Sequence, residues 1–338
     1  MHLSQPRRAA RIATISAISL LAGAALLAPA TTTANADSAK ADQKAKTSTT
    51  TSTTQSTAQS SSAKAGSSRP FRSTSYWNKP LGRAPRDSSN RQFIADAYKG
   101  GRAYMNLVLG DWGMPVYHSG AGDPLYRIKS GPGWVRVHIP NGARHMPTSD
   151  AAMVVIDKAT HQVIGLGGAR FSKKAGWSAS GVSRYLSRSN GIAGGLPGGL
   201  KANYGHRGLP GSVQAITRDE IRRGVIRHRL EVYWHETKSG RAYFPMTQSE
   251  SGKNGVVPEG MVIRIKPSVN LKALKLSRGA YIIARALQRY GAVVGDNSGQ
   301  GNSIKIQGNA KWGGVLNKDS LRKIKWNDYV FVKRGYRP

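Results

Sequence analysis

Short segments in which apolar and polar residues alternate recur along this chain, and they constrain its fold more than any other feature. The clearest occupy residues 134–139, 228–234, 261–266 and 303–306, with glycine or proline nearby. Because successive side chains of a strand point to opposite faces of a sheet, a period of two predicts half-buried strands. The sequence therefore predicts a mainly β protein, an antiparallel β-sandwich or jelly roll.

Two further segments support this fold class. Residues 153–156 and 162–166 are apolar runs joined by a short polar turn, which predicts an antiparallel hairpin. Residues 329–333 predict a strand that closes a sheet.

Helices are expected to be few and peripheral, two or three in number. Residues 278–290 carry an apolar stripe, with Ser277 as a candidate N-cap and Gly291 just after the end. A second helix is predicted over residues 90–98.

The N-terminal part of the chain is not expected to fold. Three arginines precede an apolar run over residues 12–28, which ends in Ala-Asn-Ala at 34–36, the pattern of a secretory signal peptide over 1–36. The alternative is that this apolar run stays uncleaved and anchors the protein in the membrane. No later segment of the sequence resembles a membrane helix. Residues 37–69 are rich in Ser, Thr, Ala and Lys, which predicts a disordered linker. A single globular domain is expected over 70–338.

Composition narrows the possible partners. The chain holds 51 Lys and Arg against 17 Asp and Glu, a formal net charge of +34, which favours an anionic polymer and electrostatic retention on a cell wall. It has no cysteine, which excludes a lipoprotein anchor, disulfides and thiol catalysis. No recognised nucleic-acid-binding module is present, so nucleic acid is not the expected partner.

The segment 217–237 combines two patterns. Residues 217–220 (Thr-Arg-Asp-Glu) form a capping box that predicts a short helix ending at Gly224. The alternation that follows places His228 on the same strand face as Trp234. His228 is then either a core histidine bonded to a carbonyl or a catalytic group, and Glu220 is either a capping residue or a catalytic acid.

Four motifs occur in order between residues 105 and 300. They are Trp112-Gly-x-Pro-x-Tyr117, His145-Met-x-x-x-Asp150, Glu220-Ile-x-x-Gly-x-Ile-x-His228 and Ala286-Leu-Gln-x-Tyr-Gly291 followed by Asp296. In this order the chain resembles a group of secreted bacterial proteins, many of them actinobacterial. The resemblance implies secretion and a link with extracellular polysaccharide. Arg229 departs from the group, which usually has alanine after the histidine of the third motif.

Carboxylates are scarce in so basic a chain, so those within the motifs are candidate catalytic groups. Hydrolysis of a sugar bond needs two carboxyl groups about 5 to 9.5 Å apart. Asp150 and Asp157 bracket a strand and would lie too far apart to serve. The candidate pair is Asp150 with Asp296 or with Glu220, although each is also a common turn or capping residue.

Elimination from a uronate is the second enzymatic possibility. A polysaccharide lyase needs a base and a cationic neutraliser, for which His228, His145, Tyr290 and Arg144 are candidates. A non-catalytic protein that binds anionic wall polymer through its basic surface is the alternative from a different functional class.

Aromatic rings and a glycine-rich tract complete the candidate site. Trp112, Tyr117 and Tyr233 lie in or beside the motifs and could stack on sugar rings, although such rings also fill cores. Residues 191–211 are too rich in glycine for regular structure and are expected to form a functional loop that includes His206. The histidines and acids show no tight metal-ligand spacing, so neither a metal nor a cofactor is predicted.

The sequence therefore predicts a secreted carbohydrate-active enzyme, a glycoside hydrolase or a polysaccharide lyase, that acts on an extracellular or wall polysaccharide. The predicted catalytic residues are Asp150, His228, Asp296 and Glu220. The predicted substrate-binding residues are Trp112, Tyr117, Arg144, His145, His206, Tyr233 and Tyr290.

Overall fold

Sixteen strands and three α-helices make up the regular structure of residues 70–130, 133–193, 207–299 and 301–338, which the computed structural model describes. The predicted signal peptide and linker lie outside these residues. The strands are β1 (Asn106–Val108), β2 (Val116–Ser119), β3 (Leu125–Ser130), β4 (Gly133–His138), β5 (Met153–Asp157), β6 (Gln162–Gly167), β7 (Arg170–Ser172), β8 (Gly176–Ser178), β9 (Gly181–Leu186), β10 (Leu230–Trp234), β11 (Thr237–Ala242), β12 (Val257–Glu259), β13 (Val262–Ile265), β14 (Ala292–Asn297), β15 (Ser303–Lys305) and β16 (Tyr329–Val332). The helices are α1 (Asn90–Ala97), α2 (Arg218–Arg223) and α3 (Arg278–Arg289).

The protein is mainly β, as the alternating segments predict. Its two largest sheets have the strand orders β1-β15-β10-β14-β13-β16 and β2-β5-β6-β9. The predicted hairpin forms between β5 and β6, with Val155 opposite Ile164. Strand β16 lies at the edge of the six-stranded sheet. No helix in the described part of the chain is long and apolar enough to cross a membrane.

The pairing within these sheets is mixed, and this was not anticipated. Strands β5, β6 and β9 pair antiparallel, whereas β1 with β15, β2 with β5, β10 with β14 and β11 with β12 run parallel. Parallel neighbours need long connections, and the one from β10 to β14 includes α3. The alternation of a segment predicts that it forms a strand, but it does not predict which strand pairs with it.

Apolar side chains fill both faces of the six-stranded sheet. On one face, Val232 and Phe331 pack with Ile283 of α3. On the other, Val293 packs with Val154 of the four-stranded sheet, so the two sheets share a core. All five residues of β10 are buried for this reason, although the alternation predicted a half-buried strand.

The predicted helix ends are present in α3 and α2. The Ser277 hydroxyl accepts a hydrogen bond from the backbone N–H of Ala280 at the start of α3, and Gly291 after its end has φ of 72°. In α2 the Thr217 side chain and Glu220 form the reciprocal capping box, and Gly224 ends the helix in the left-handed region. These features depend on local chemistry, which explains why the sequence predicts them.

Arg229, the departure from the resembling group, has a structural role. It is fully buried, and its guanidinium donates to the backbone carbonyls of Tyr290 (2.9 Å), Tyr76 (2.5 Å) and Lys79 (3.2 Å). It also stacks on the Tyr76 ring, 3.9 Å from its centroid. Arg229 thereby fastens the segment around residue 77 to the end of α3.

Candidate functional site

A cleft of about 880 Å³ opens between the two large sheets. The four-stranded sheet contributes β5, β6 and β9 to its wall, and the six-stranded sheet contributes β10, β14 and β15. Loops supply the remaining residues. The polar side chains that line it belong to Ser149, Asp150, Ser180, Ser183, Arg207, Gln214, Tyr233, Thr247, Gln248, Glu250, Asp296 and Lys305. The cleft is thus polar and carries both signs of charge.

Two glycines, Gly165 on β6 and Gly168 just after it, lie close against serines in the wall of the cleft. A Cβ on Gly165 would lie 2.5 Å from Ser183 Oγ, and one on Gly168 would lie 2.1 Å from Ser180 Oγ. Gly168 also has φ of 57°, a conformation that disfavours other residues. A larger side chain at either position would have to displace a serine that lines the cleft.

Arg207 links three carboxylates at one end of the cleft. Its Nε donates to Glu259 Oε2 at 2.8 Å, its Nη2 donates to Asp296 Oδ1, and Nη2 lies 3.9 Å from Glu250 Oε2. Burial by itself would lower the pKa of Arg207, but Asp296 and Glu259 outweigh it, so this pKa is raised. The guanidinium therefore keeps its charge and balances part of the acidic cluster.

The carboxylates of this cluster are closely spaced. Glu250, Glu259 and Asp296 each place an oxygen within 4.8 Å of the other two. Glu259 is fully buried, whereas Glu250 and Asp296 face the cleft with side chains 33% and 24% exposed. Such oxygens could ligate a divalent cation, but Arg207 already supplies a positive charge among them. What the arrangement offers a substrate is a pair of accessible carboxyl groups.

Burial raises the pKa of Glu259. The charge of Asp296 acts in the same direction, and the opposing effects of Arg207 and of the backbone N–H of Glu250 are too small to reverse it. Glu259 also accepts a hydrogen bond from the Thr237 hydroxyl at 3.3 Å. Glu259 is not among the described residues that line the cleft, and it is connected to the cleft through Arg207, which also binds Asp296.

Tyr233 forms the floor of the cleft on β10. Its hydroxyl donates to Glu231 Oε2 at 3.0 Å, and Lys305 Nζ lies 4.5 Å from the centre of its ring. Burial, and then the charges of Glu231 and Asp296, raise the pKa of Tyr233 well above its ordinary value. The hydroxyl is therefore a proton donor in hydrogen bonds and not a base.

Three of the predicted site residues meet in the cleft: Asp150, Tyr233 and Asp296. Asp150 is held there by its backbone carbonyl, which accepts a hydrogen bond from the N–H of Gly168 at 2.8 Å. Asp296 was also interpretable as a turn residue, and the structure places it in β14.

Glu220 and His228 lie elsewhere. Glu220 Oε1 is 2.7 Å from His228 Nε2, and the other ring nitrogen of His228 lies 2.8 Å from the Arg229 carbonyl. Both side chains are buried, and neither lines the cleft. Burial by itself would lower the pKa of His228, but Glu220 outweighs it and raises that pKa. The pair fastens α2 to the start of β10.

The remaining predicted residues that lie in the described part of the chain, Tyr117, Arg144, His145, Tyr290 and Trp112, do not line the cleft either. Tyr117 donates from its hydroxyl to the Arg144 carbonyl and accepts from the Arg144 N–H, and a ring nitrogen of His145 lies 2.8 Å from the Met146 carbonyl. Tyr290 is buried at the end of α3, and Trp112 is 39% exposed. His206 lies outside the described residues.

Sequence reasoning missed Arg207, Glu250 and Lys305. Arg207 lies within the glycine-rich tract of residues 191–211, which was predicted to form a functional loop, so the tract pointed to its neighbourhood but not to Arg207 itself. Glu250 lies in a loop outside the four motifs, and Lys305 is one of many lysines. The sequence around Glu250 and around Lys305 does not differ from that around an ordinary charged residue on the protein surface.

No family model, curated protein or solved structure matches the chain. The resemblance based on the four motifs therefore stays a prediction. The geometry of the cleft is the basis for a functional proposal.

Proposed function

We propose that this protein is a secreted glycoside hydrolase that cleaves an extracellular or wall polysaccharide in the cleft between its two sheets. The observation that carries the proposal is the pair of accessible carboxylates, Glu250 and Asp296, whose oxygens lie within 4.8 Å of each other. A separation of about 5 Å between carboxyl groups is typical of hydrolases that retain anomeric configuration. Secretion rests on the signal-peptide pattern of residues 1–36.

Both carboxylates lie beside Arg207, but only Asp296 accepts a hydrogen bond from it, whereas Glu250 lies 3.9 Å from Nη2 and accepts from the side-chain amide of Asn297. Asp296 accepts a hydrogen bond from the charged guanidinium of Arg207, which favours its ionised form. In the proposed reaction Asp296 attacks the anomeric carbon while Glu250 gives its proton to the departing glycosidic oxygen. Glu250 then takes a proton from water, and that water displaces Asp296 from the sugar with retention.

Other cleft residues are suited to hold a sugar chain. Gln214, Ser183 and Asp150 offer hydrogen-bonding groups. Lys305 and Arg207 add positive charge. This set favours a polysaccharide that carries some acidic groups.

Elimination is less well supported by the same residues. A lyase needs a base beside the uronate proton, and the raised pKa of Tyr233 makes it unsuited to that role. The other candidate bases, His228, His145 and Tyr290, lie away from the cleft. Hydrolysis is therefore the preferred reaction.

The test is product release from a panel of neutral and uronate-containing polysaccharides and wall fractions. Hydrolysis produces reducing ends without the ultraviolet absorbance of an unsaturated uronate, whereas elimination produces both. Glu250→Gln and Asp296→Asn are each expected to lower kcat about 10²- to 10⁴-fold. Asp111→Asn, at an exposed acid outside the cleft, is the matched control and should keep full activity.

Three results would contradict the proposal. Full activity of both cleft variants would remove these carboxylates from the reaction. Absorbance that rises together with reducing ends would show elimination. If the folded protein releases no product from any polysaccharide of the panel but binds wall fractions in a salt-sensitive way, the non-catalytic binding protein is favoured.

A further inference from the structure

A second cavity, of about 620 Å³, lies beside α1 at the β16 edge of the six-stranded sheet. It shares no residue with the cleft. The described residues that line it include three cations, Arg86, Arg91 and Lys266, and neither Asp nor Glu. The cleft contains three acids, so the two cavities differ in charge. Electrostatics at this second cavity favours an anion.

Tyr329 belongs to the buried lining of this cavity. Tyr329 is fully buried, and among the residues that the structure describes its hydroxyl has no hydrogen-bond partner. An unsatisfied buried hydroxyl is costly, so one that persists calls for an explanation. Burial, and then the charge of Asp328, raise the pKa of Tyr329 above its ordinary value. The hydroxyl therefore keeps its proton and can donate it in a hydrogen bond.

Neighbouring groups are also set to donate. The side-chain oxygen of Asn90 accepts from the backbone N–H of Phe331 at 2.7 Å, so its NH₂ is the group that it can offer a ligand. Lys266 Nζ is held by the Asn327 carbonyl at 2.6 Å and has two more protons to donate. The nearby Asp328 carboxylate accepts from the backbone N–H of Lys325 at 2.8 Å.

At the rim, Tyr98 presents an aromatic ring that is 43% exposed. Flat rings of this kind suit the faces of sugars. Cations, hydroxyl and amide donors, and an exposed ring therefore surround one space.

We infer that this cavity is a second binding site, for a sugar that carries an oxyanion, either a phosphate or a carboxylate. The oxyanion binds Arg86, Arg91 and Lys266 and accepts from the Tyr329 hydroxyl, while the sugar ring rests on Tyr98. The site lies outside the cleft and does not depend on the proposed hydrolysis. It would hold an acidic saccharide chain on the protein independently of cleavage.

Binding of four probes to the full chain at constant ionic strength tests this inference: glucose, glucuronate, glucose 6-phosphate and inorganic phosphate. At least one of the two acidic sugars is expected to bind about tenfold or more tightly than glucose. Whether glucuronate or glucose 6-phosphate binds better identifies the oxyanion. Weaker binding of inorganic phosphate than of glucose 6-phosphate would show that the sugar ring contributes.

Two variants and a control test whether the probes bind in this cavity or only to the basic surface of the protein. Tyr329→Phe removes only the unpartnered hydroxyl, so it is expected to weaken binding about tenfold while the melting temperature stays equal or rises. Arg91→Gln, at an exposed position on α1, should weaken binding without affecting folding. The double change Lys173→Gln and Lys174→Gln removes more charge from an exposed turn and should leave binding unchanged.

The inference is overturned if the folded protein binds neither acidic sugar more tightly than glucose. It is also overturned if Tyr329→Phe and Arg91→Gln bind as well as the wild type, or if the Lys173 and Lys174 change weakens binding equally. Glu250→Gln in the cleft should bind these probes normally, so loss of hydrolysis and loss of this site are distinguishable.

Discussion

Arg207 donates from Nε to Glu259 Oε2 at 2.8 Å, which joins a residue of the glycine-rich tract to a fully buried carboxylate on β12. The same guanidinium binds Asp296 in the cleft. The geometry of the proposed catalytic pair therefore depends on a buried ion pair behind it.

Arg207→Gln should destabilise the protein, because it leaves the buried Glu259 without its cation. Removal of one partner from a fully buried pair costs about 3 to 5 kcal/mol, and because the Arg207 side chain is 18% exposed, a loss at or below the lower end of this range is expected. Adding Glu259→Gln should recover part of this loss, since no buried charge then remains. Urea denaturation of the two single variants and the double variant measures the coupling. Simple additivity of the two changes would show that the pair is not coupled.

The buried pair of Glu220 and His228 predicts a pH dependence of stability. Its folded-state pKa values lie below 4.5 for Glu220 and above 6.5 for His228, the ordinary values of the two groups. His228 contributes its full share to the free energy of unfolding below pH 6.5, and this share is lost as pH rises through its raised pKa. Glu220 contributes its full share to the free energy of unfolding above pH 4.5, and this share is lost as pH falls through its lowered pKa.

The free-energy difference between the wild type and His228→Gln should therefore be largest between pH 4.5 and 6.5 and should narrow at higher pH. Urea titrations across a pH series provide this measurement. His161→Asn is the control, because His161 is exposed and Asn tolerates its positive φ. A difference that grows with rising pH would mean that His228 is buried in its neutral form.

Arg229→Ala should cost at least about 3 kcal/mol of stability. The change leaves three backbone carbonyls without their charged donor and opens a cavity. Arg227→Ala, two residues away and exposed, should change stability by less than about 0.5 kcal/mol. Thermal and urea unfolding compare the two. If both variants lose equally little stability, the backbone carbonyls of Tyr76 and Lys79 accept hydrogen bonds from other donors once Arg229 is removed.

Tyr233→Phe distinguishes a hydrogen-bond donor from a base. The hydroxyl donates to the buried Glu231, so its loss should cost about 1 to 3 kcal/mol of stability. Since the raised pKa keeps Tyr233 protonated, the pH profile of kcat should be the same in the variant and the wild type. Loss of the alkaline limb of the profile in Tyr233→Phe would instead identify Tyr233 as a titrating catalytic group.

Local chemistry determined the elements that the sequence could predict. The cap at Ser277, the box formed by Thr217 and Glu220, and the alternation of β10 involve residues a few positions apart, so their effects are readable from one segment. Asp150 and Asp296 stood out because they belong to or follow a motif, and Tyr233 because it lies beside one, and all three line the cleft.

Only the tertiary structure decided which segments meet. It paired Glu220 with His228 inside the core, away from the cleft, and it brought Glu250 and Asp296 together around Arg207. The parallel pairing of β10 with β14 has the same origin. Such contacts depend on loop closure and on the burial of whole sheet faces, and neither is encoded in the spacing of neighbouring residues.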